Sequence, residues 1–281
     1  MTVVHEQTQL AGMPSRLFTC TPSRLATWQD CPRRYRFTYV DRPAAAKGPP
    51  WAHNSVGAAV HTALAAWWTL PMSRRTPESA AALVRAKWLP LGFRDDRQAQ
   101  EWCERAAAMV QRYAEGLDPH DEPIGVERTV GMATERLAFS GRIDRLDRRG
   151  DELVIVDYKT GRHVLSTDDT RGSLALALYA LAAARTLRRA CVRVELHHLP
   201  TGEVHAWEHT PATLDRHLQR AHALAEEIVA ASEFPANPGP MCGWCDFSSH
   251  CAEGRAARAA QAPWAGLAVD DAPPPAADAS A

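Results

Sequence analysis

The chain has 281 residues, and its 32 basic and 33 acidic side chains give a formal net charge of −1. This length is enough to bury the core of one large domain or two small ones, and the near-neutral charge neither requires nor excludes a polyanionic partner. No apolar run approaches the ~20 residues that cross a bilayer, and the first residues lack the pattern of a secretory signal, so we expect a cytoplasmic protein with no membrane partner.

The first half of the chain is predicted to be mostly helical. Residues 1–15 are predicted to form a flexible N-terminus, followed by one large domain over 16–255. Thr21 followed by Pro22 is typical of a helix start. A Pro- and Ala-rich loop follows over 41–53. Apolar residues three and four apart then predict helices over 55–70, 77–89 and 95–117.

The second half alternates strands and helices. Strands are predicted over 124–132, 135–147 and 152–158, a helix over 171–189, strands over 191–199 and 203–209, and a helix over 211–231. This order predicts an α/β fold with a central mixed sheet flanked by helices on both sides. Residues 256–281 are rich in Ala and Pro and are predicted to form a disordered tail.

Two predicted strands carry a candidate catalytic site. The run from Leu153 ends in Asp157 and Lys159, which share a face because side chains alternate along a strand. The preceding strand ends near Asp144. Two carboxylates and the Tyr158 carbonyl suit Mg²⁺ or Mn²⁺, and the lysine would hold the attacking water and stabilise charge on a phosphate.

Simpler interpretations exist for each of these residues. Asp157 and Lys159 are also compatible with a hairpin whose ends are charged and exposed. On local grounds, His61 is a packed residue of an apolar helix, and Glu127 is a strand acid with no function.

Seven cysteines are present, an odd number that argues against a disulfide framework. Three of them form a C-x₂-C-x₅-C pattern, and Cys31 is the best candidate for a fourth ligand. The spacing alone fits either an iron–sulfur cluster or a structural zinc, with His250 as a possible substitute ligand. The cluster cysteines are Cys31, Cys242, Cys245 and Cys251, whereas Cys20, Cys103 and Cys191 are predicted to be isolated buried thiols.

Taken in order, these motifs resemble the RecB-like branch of the PD-(D/E)XK nuclease superfamily. The similarity is strongest to its iron–sulfur subgroup, which includes the AddB nuclease domain and CRISPR-associated RecB-like exonucleases. It covers roughly residues 20–253. The matching segments are Ser23-Arg24-Leu25 through Cys31-Pro32, Gly57 to His61, Gly141 to Asp144, Asp157 to Gly161, and the C-terminal cysteines.

The resemblance implies a restriction-endonuclease-like fold with a 4Fe–4S cluster on the four cysteines. A cluster there would join the N- and C-terminal segments. It also implies a Mg²⁺ or Mn²⁺ site formed by His61, Asp144, Asp157 and the Tyr158 carbonyl, with Lys159 as the catalytic lysine. DNA contacts are expected from Arg33, Arg34, Arg36 and Tyr179.

The function implied is that of a metal-dependent exonuclease. It would hydrolyse phosphodiesters by metal-activated water, with single-stranded DNA ends in repair or recombination as its substrate. The chain has no helicase motif, so a separate helicase or repair factor would unwind DNA. One position departs from the family pattern, because Ala175 stands where a Gln is usual. The alternative is therefore a DNA-binding or complex-assembly subunit with a weakened nuclease site.

Overall fold

The computed structural model describes residues 17–163, 165–258 and 261–267. Its helices are α1 (Pro22–Asp30), α2 (Pro32–Tyr35, continued by a π-helical turn Arg36–Val40), α3 (Ala52–Trp68), α4 (Pro77–Lys87), α5 (Asp96–Glu115), α6 (Thr167–Gly172), α7 (Leu174–Leu187), α8 (Pro211–Ala230) and α9 (Ala252–Arg258). The strands are β1 (Phe18–Cys20), β2 (Gly125–Ala133), β3 (Leu137–Arg149), β4 (Glu152–Lys159), β5 (Cys191–His198) and β6 (Glu203–Glu208).

Side-chain caps set the starts of several helices. The Thr21 hydroxyl accepts a hydrogen bond from the backbone N–H of Arg24, which confirms the predicted start of α1. The helix predicted over 171–189 is present as α7, and the short helix α6 before it was not predicted. Ser173, with an extended ψ of 107°, ends α6 and caps α7 by accepting a hydrogen bond from the Leu176 N–H, so α7 begins three residues later than predicted.

The six described strands belong to one mixed sheet, the architecture that the sequence predicted from five of them. β3 is the most connected strand, pairing antiparallel with β2, parallel with β1 and antiparallel with β4. β4 pairs parallel with β5, and β5 pairs antiparallel with β6. β1 was not predicted, because three residues carry no periodic signal and its partner lies more than a hundred residues away.

Helices cover both faces of the sheet, and β4 has its central residues buried against both layers. Leu153 and Ile155 pack with α7 and α8, whereas Val154, Val156 and Tyr158 pack with α3 and α5. Burial on two faces explains why β4 is a continuous apolar run and not an alternating one. The charged end of this strand is therefore held by a rigid, doubly covered element.

The C-terminal segment is folded over the part that the structure describes. Helix α9 continues to Arg258, and Trp264 and Leu267 pack on the layer that contains α3. Leu267 is 4% exposed. The tail predicted over 256–281 thus includes ordered residues, while 1–15 and 268–281 lie outside the described ranges. Among the described helices, none has the length and hydropathy needed to cross a membrane.

Candidate active site

The site lies where β3 and β4 separate. Their pairing runs from Arg149 and Glu152 to Arg145 and Val156 and then stops. Asp144 and Asp157 are the next residues on their respective strands, so the end of the pairing brings both carboxylates to one opening in the sheet. The sequence placed these two residues at strand ends, and the register explains why they meet.

Asp144 is fixed by two contacts from neighbouring elements. Its Oδ2 accepts a hydrogen bond of 2.9 Å from the backbone N–H of Tyr158 on β4. Its Oδ1 lies 3.3 Å from Nδ1 of His61 on α3. Burial lowers the pKa of His61, but the hydrogen bond and negative charge of Asp144 outweigh it, so the pKa rises above its usual value. His61 therefore faces the site, and the local interpretation of a purely packed residue is wrong.

Asp157 and Lys159 form an ion pair, as expected of two residues on the same face of a strand. Burial raises the pKa of Asp157 above its usual value, although the positive charge of Lys159 acts in the opposite direction. Burial lowers the pKa of Lys159, but Asp157 outweighs it and the net direction is upward. The Lys159 side chain is 46% exposed, so its ammonium group can reach a bound substrate.

A third carboxylate, Glu127 of β2, completes the site and was missed by sequence reasoning. Ligand atoms of His61, Glu127 and Asp144 all lie within 4.8 Å of one another. Burial raises the pKa of Glu127, although Arg142, whose Nε lies 2.7 Å from Oε2, lowers it. An imidazole and two carboxylates form a donor set that suits a hard divalent cation such as Mg²⁺ or Mn²⁺.

A local distortion turns Glu127 toward α3. Its φ is +50°, in the left-handed region that non-glycine residues rarely adopt. The ladder between β2 and β3 passes from Val126 and Arg145 to Arg128 and Ile143, omitting the intervening pair Glu127 and Asp144. The alternation of side chains between the two faces of the strand is interrupted here, so the sequence pattern does not show that Glu127 faces the site. The only hint in the sequence is its position on the strand before Asp144.

Tyr179 of α7 borders the site from the opposite helical layer. Burial raises its pKa to about 12, and the nearby charges of Asp157 and Asp144 act in the same direction. A Cβ at Gly141 would lie 2.3 Å from the Tyr179 ring, so only glycine permits this close approach. Ala175, where the family usually has Gln, is half-buried in the first turn of α7.

The four predicted cluster cysteines line one small cavity of about 40 Å³. Cys31 comes from the junction of α1 and α2, and the other three come from the segment before α9. The backbone N–H of Asn237 donates to the Cys31 sulfur at 3.4 Å, and Arg33 donates to the Cys251 sulfur at 3.7 Å. Segments about two hundred residues apart thus meet, as predicted. Cys20, Cys103 and Cys191 are buried away from this cavity.

The three arginines predicted to contact DNA lie near the cysteine cavity or on the adjoining turn. Arg33 pairs with Glu253 at 3.1 Å, Arg34 with Asp30 at 3.5 Å, and Arg36 with Asp41 at 2.8 Å. None of them lines the cavities described around His61, Asp144 and Lys159. Their contact with DNA stays a prediction, and other basic residues lie nearer to the site.

Comparison with known proteins agrees with this architecture. A crystal structure of a protein from Eubacterium rectale, named "Putative exonuclease", is similar over 89% of this chain and 93% of its own, with a TM-score of 0.51 and 10% identity. At that identity the similarity concerns the fold alone. A search of curated proteins gave no match. The sequence pattern of the PD-(D/E)XK nuclease superfamily matches residues 19–252, and the chain therefore belongs to the PD-(D/E)XK nuclease superfamily.

Proposed function

We propose that this nuclease is a metal-dependent DNA exonuclease that acts on single-stranded ends in repair or recombination. The observation that carries the proposal is the convergence of His61, Glu127 and Asp144 within 4.8 Å, beside the ion pair of Asp157 and Lys159. The name of the Eubacterium rectale structure adds support for the exonuclease class.

The proposed roles follow from the chemistry of each group. His61, Glu127, Asp144 and Asp157 would hold a divalent cation, which supplies Lewis acidity and lowers the pKa of water when bound. Lys159 donates hydrogen bonds to the attacking water and to a phosphate oxygen, where negative charge grows during the reaction. The N–H of Tyr158 fixes one oxygen of Asp144 and leaves the other toward His61. Tyr158 also offers its carbonyl as a further oxygen ligand.

The test is end-labelled single-stranded DNA digested with Mn²⁺ or Mg²⁺. Asp157→Ala and Lys159→Ala are expected to lower the cleavage rate by at least about 10²-fold, because each removes a group that acts on the developing charge. Lys87→Ala, at the exposed end of α4, is a matched control and should cleave normally. Full activity of both site variants, with an unchanged circular dichroism spectrum, would refute the proposal.

A second function is favoured by one position. Ala175 lacks the amide that the family usually carries near Tyr179, which would weaken substrate positioning. The chain would then be a DNA-binding or assembly subunit. Binding of single-stranded DNA without cleavage under any tested divalent metal would support this second function, and Ala175→Gln should then increase or restore cleavage.

We propose further that the four cysteines hold a 4Fe–4S cluster with a structural role. The four thiols come from both ends of the domain and line one cavity of about 40 Å³. Four cysteine thiolates are the usual ligand set of a 4Fe–4S cluster, in which each thiolate binds a different iron atom.

The cluster proposal is tested on anaerobically purified protein. It should be brown, absorb near ~400 nm and contain about four iron atoms per chain. Cys242→Ala should lose the colour and unfold at lower temperature, whereas Cys103→Ala, outside the cavity, should keep the colour. Colourless wild-type protein with one bound zinc would overturn the cluster, and a Cys242→Ala protein of unchanged stability would overturn its structural role.

A further inference from the structure

We infer that a groove running from Lys159 along one face of α5 binds the single-stranded part of the substrate, with Trp102, Arg105, Arg112 and Arg162 as its main contacts. This inference rests on the proposed function, because it names the path by which a strand reaches that site. None of these four residues was singled out by sequence reasoning as a contact for nucleic acid.

The groove is continuous with the active site. A cavity of about 360 Å³ is bordered by His61 and Lys159 and extends to Trp102 and Arg162. A second cavity of about 330 Å³ shares Trp102 and Arg162 with the first and continues along α5 to Arg112. The shared walls make the two cavities one path that begins at the catalytic lysine.

One face of α5 lines the outer part of this path. Trp102, Arg105, Met109 and Arg112 follow one another at intervals of three or four residues, which places them on the same side of the helix. At 1.5 Å per residue, the distance from the first to the last is about 15 Å. With about 3.4 Å per phosphate in a stacked strand, this length matches about four nucleotides.

The charge of the groove is opposite in sign to that of the whole chain. Apart from its histidines, the charged side chains that line the groove are all basic and exposed: Lys159, Arg105, Arg112 and Arg162. Among the described residues, no Asp or Glu lines either cavity. The chain as a whole carries a net charge of −1. Such a local excess of positive charge favours a polyanion at this position.

Flat side chains favour a single strand over a duplex. The Arg105 guanidinium lies 5.3 Å from the centroid of the half-buried Trp102 ring, so the two planar groups are neighbours. Bases of a single strand can stack on such groups, a contact that is insensitive to sequence. In a duplex the base faces are already stacked on each other, so only the backbone and the base edges in the grooves remain available for contact.

The test separates binding from cleavage. A fluorescein-labelled oligothymidylate is titrated with full-length protein in Ca²⁺ without Mg²⁺ or Mn²⁺, and anisotropy gives the dissociation constant at several salt concentrations. Arg105→Ala/Arg112→Ala should bind about tenfold more weakly, and its slope of log K against log salt should fall by about 1.4, because two phosphate contacts are lost. Trp102→Ala should weaken binding about fivefold or more.

The matched control removes the same charge elsewhere. Arg216 and Arg220 are exposed on α8, outside the groove, and Arg216→Ala/Arg220→Ala should bind like the wild type. If Arg105→Ala/Arg112→Ala binds the single strand as tightly as this control does, the proposed role of the groove is refuted. A blunt duplex that binds as tightly as the single strand would overturn its preference for single strands.

A small substrate distinguishes a failure of the proposed groove from a failure of the proposed nuclease activity. Bis(p-nitrophenyl) phosphate carries one phosphate and no extended strand, so its hydrolysis with Mn²⁺ does not require Arg105 and Arg112 of α5, which line only the second cavity. Arg105→Ala/Arg112→Ala should hydrolyse it within about twofold of the wild-type rate while cleaving DNA more slowly. An equal loss on both substrates would show that the variants damage the site itself, and the groove would be refuted as a separate contact.

Discussion

Glu127 offers the sharpest test of the candidate site, because its proposed role as a metal ligand requires a carboxylate whereas its backbone conformation favours glycine. Its φ of +50° costs a non-glycine residue about 1–2 kcal/mol, since the left-handed region crowds the Cβ. Glu127→Ala removes the carboxylate and keeps this strain. Glu127→Gly removes both. The two variants therefore share one functional loss and differ only in the backbone.

The expected stability difference follows from two opposing contributions. Glycine relieves the strain in the folded chain, but it adds about 0.5–1 kcal/mol of conformational freedom to the unfolded chain. Glu127→Gly should therefore be more stable than Glu127→Ala by about 0.5–1 kcal/mol. In an ordinary strand the order is reversed, with alanine the more stable by a similar amount. The sign of the difference is thus the result that matters.

Urea denaturation provides the measurement, with the midpoint compared at constant slope. Thr129, exposed on the same strand and outside the left-handed region, is the control, where alanine should be more stable than glycine. Both Glu127 variants should lose most Mn²⁺-dependent cleavage. Wild-type activity in Glu127→Gly would remove this residue from the metal site. A Glu127→Gly protein less stable than Glu127→Ala would refute the argument from strain.

Three further outcomes are expected. Gly141→Ala should lower the free energy of unfolding by about 1–3 kcal/mol, because its Cβ would lie 2.3 Å from the Tyr179 ring. In a Tyr179→Ala background, thermal unfolding should show that most of this loss is recovered. No recovery would contradict the contact. Burial raises the pKa of Glu195, but hydrogen bonds from His197, Arg149 and Arg193 outweigh it, so the pKa is well below its usual value. The stability it provides is complete above the unfolded pKa of about 4.3 and is lost as the pH falls toward the folded pKa, so Glu195→Gln should cost about 2 kcal/mol at pH 7 and progressively less below about pH 4.3. A pH-independent difference in urea midpoints would contradict this. Leu267→Ala should cost about 2 kcal/mol because Leu267 is 4% exposed, and an unchanged melting temperature would show that the C-terminal segment does not pack on α3.

Local chemistry made much of the fold predictable. Thr21 and Pro22 fixed the start of α1, and the apolar run from Leu153 identified β4 with the acid and lysine at its end. Asp144 and Asp157 were predicted as site residues because each lies on a strand-like segment, and the structure places them near each other while their catalytic role stays a prediction. In each case the signal lay within about ten neighbouring residues, which is the range that periodicity and capping can report.

Features that depend on distant partners could not be read in this way. β1 exists because Phe18–Cys20 lie beside Leu137–Phe139, and nothing within three residues predicts that pairing. Glu127 enters the site through a backbone distortion that interrupts strand alternation, so the pattern used to assign faces fails at this residue. The start of α7 was placed three residues too early, although Ser173 carries a capping signal directly before the Ala- and Leu-rich stretch.

The cavity that gathers Cys31 with the cysteines before α9 has a topological consequence. A group bound to Cys31 and Cys242 together would turn the intervening chain into a closed ring. By the relation for cross-linked loops, a ring of this size lowers the entropy of the unfolded chain by the equivalent of roughly 5 kcal/mol. Substitutions near either end of the ring should then act on the same step, the opening of the whole nuclease domain. Oxidative loss of the group would release both ends at once.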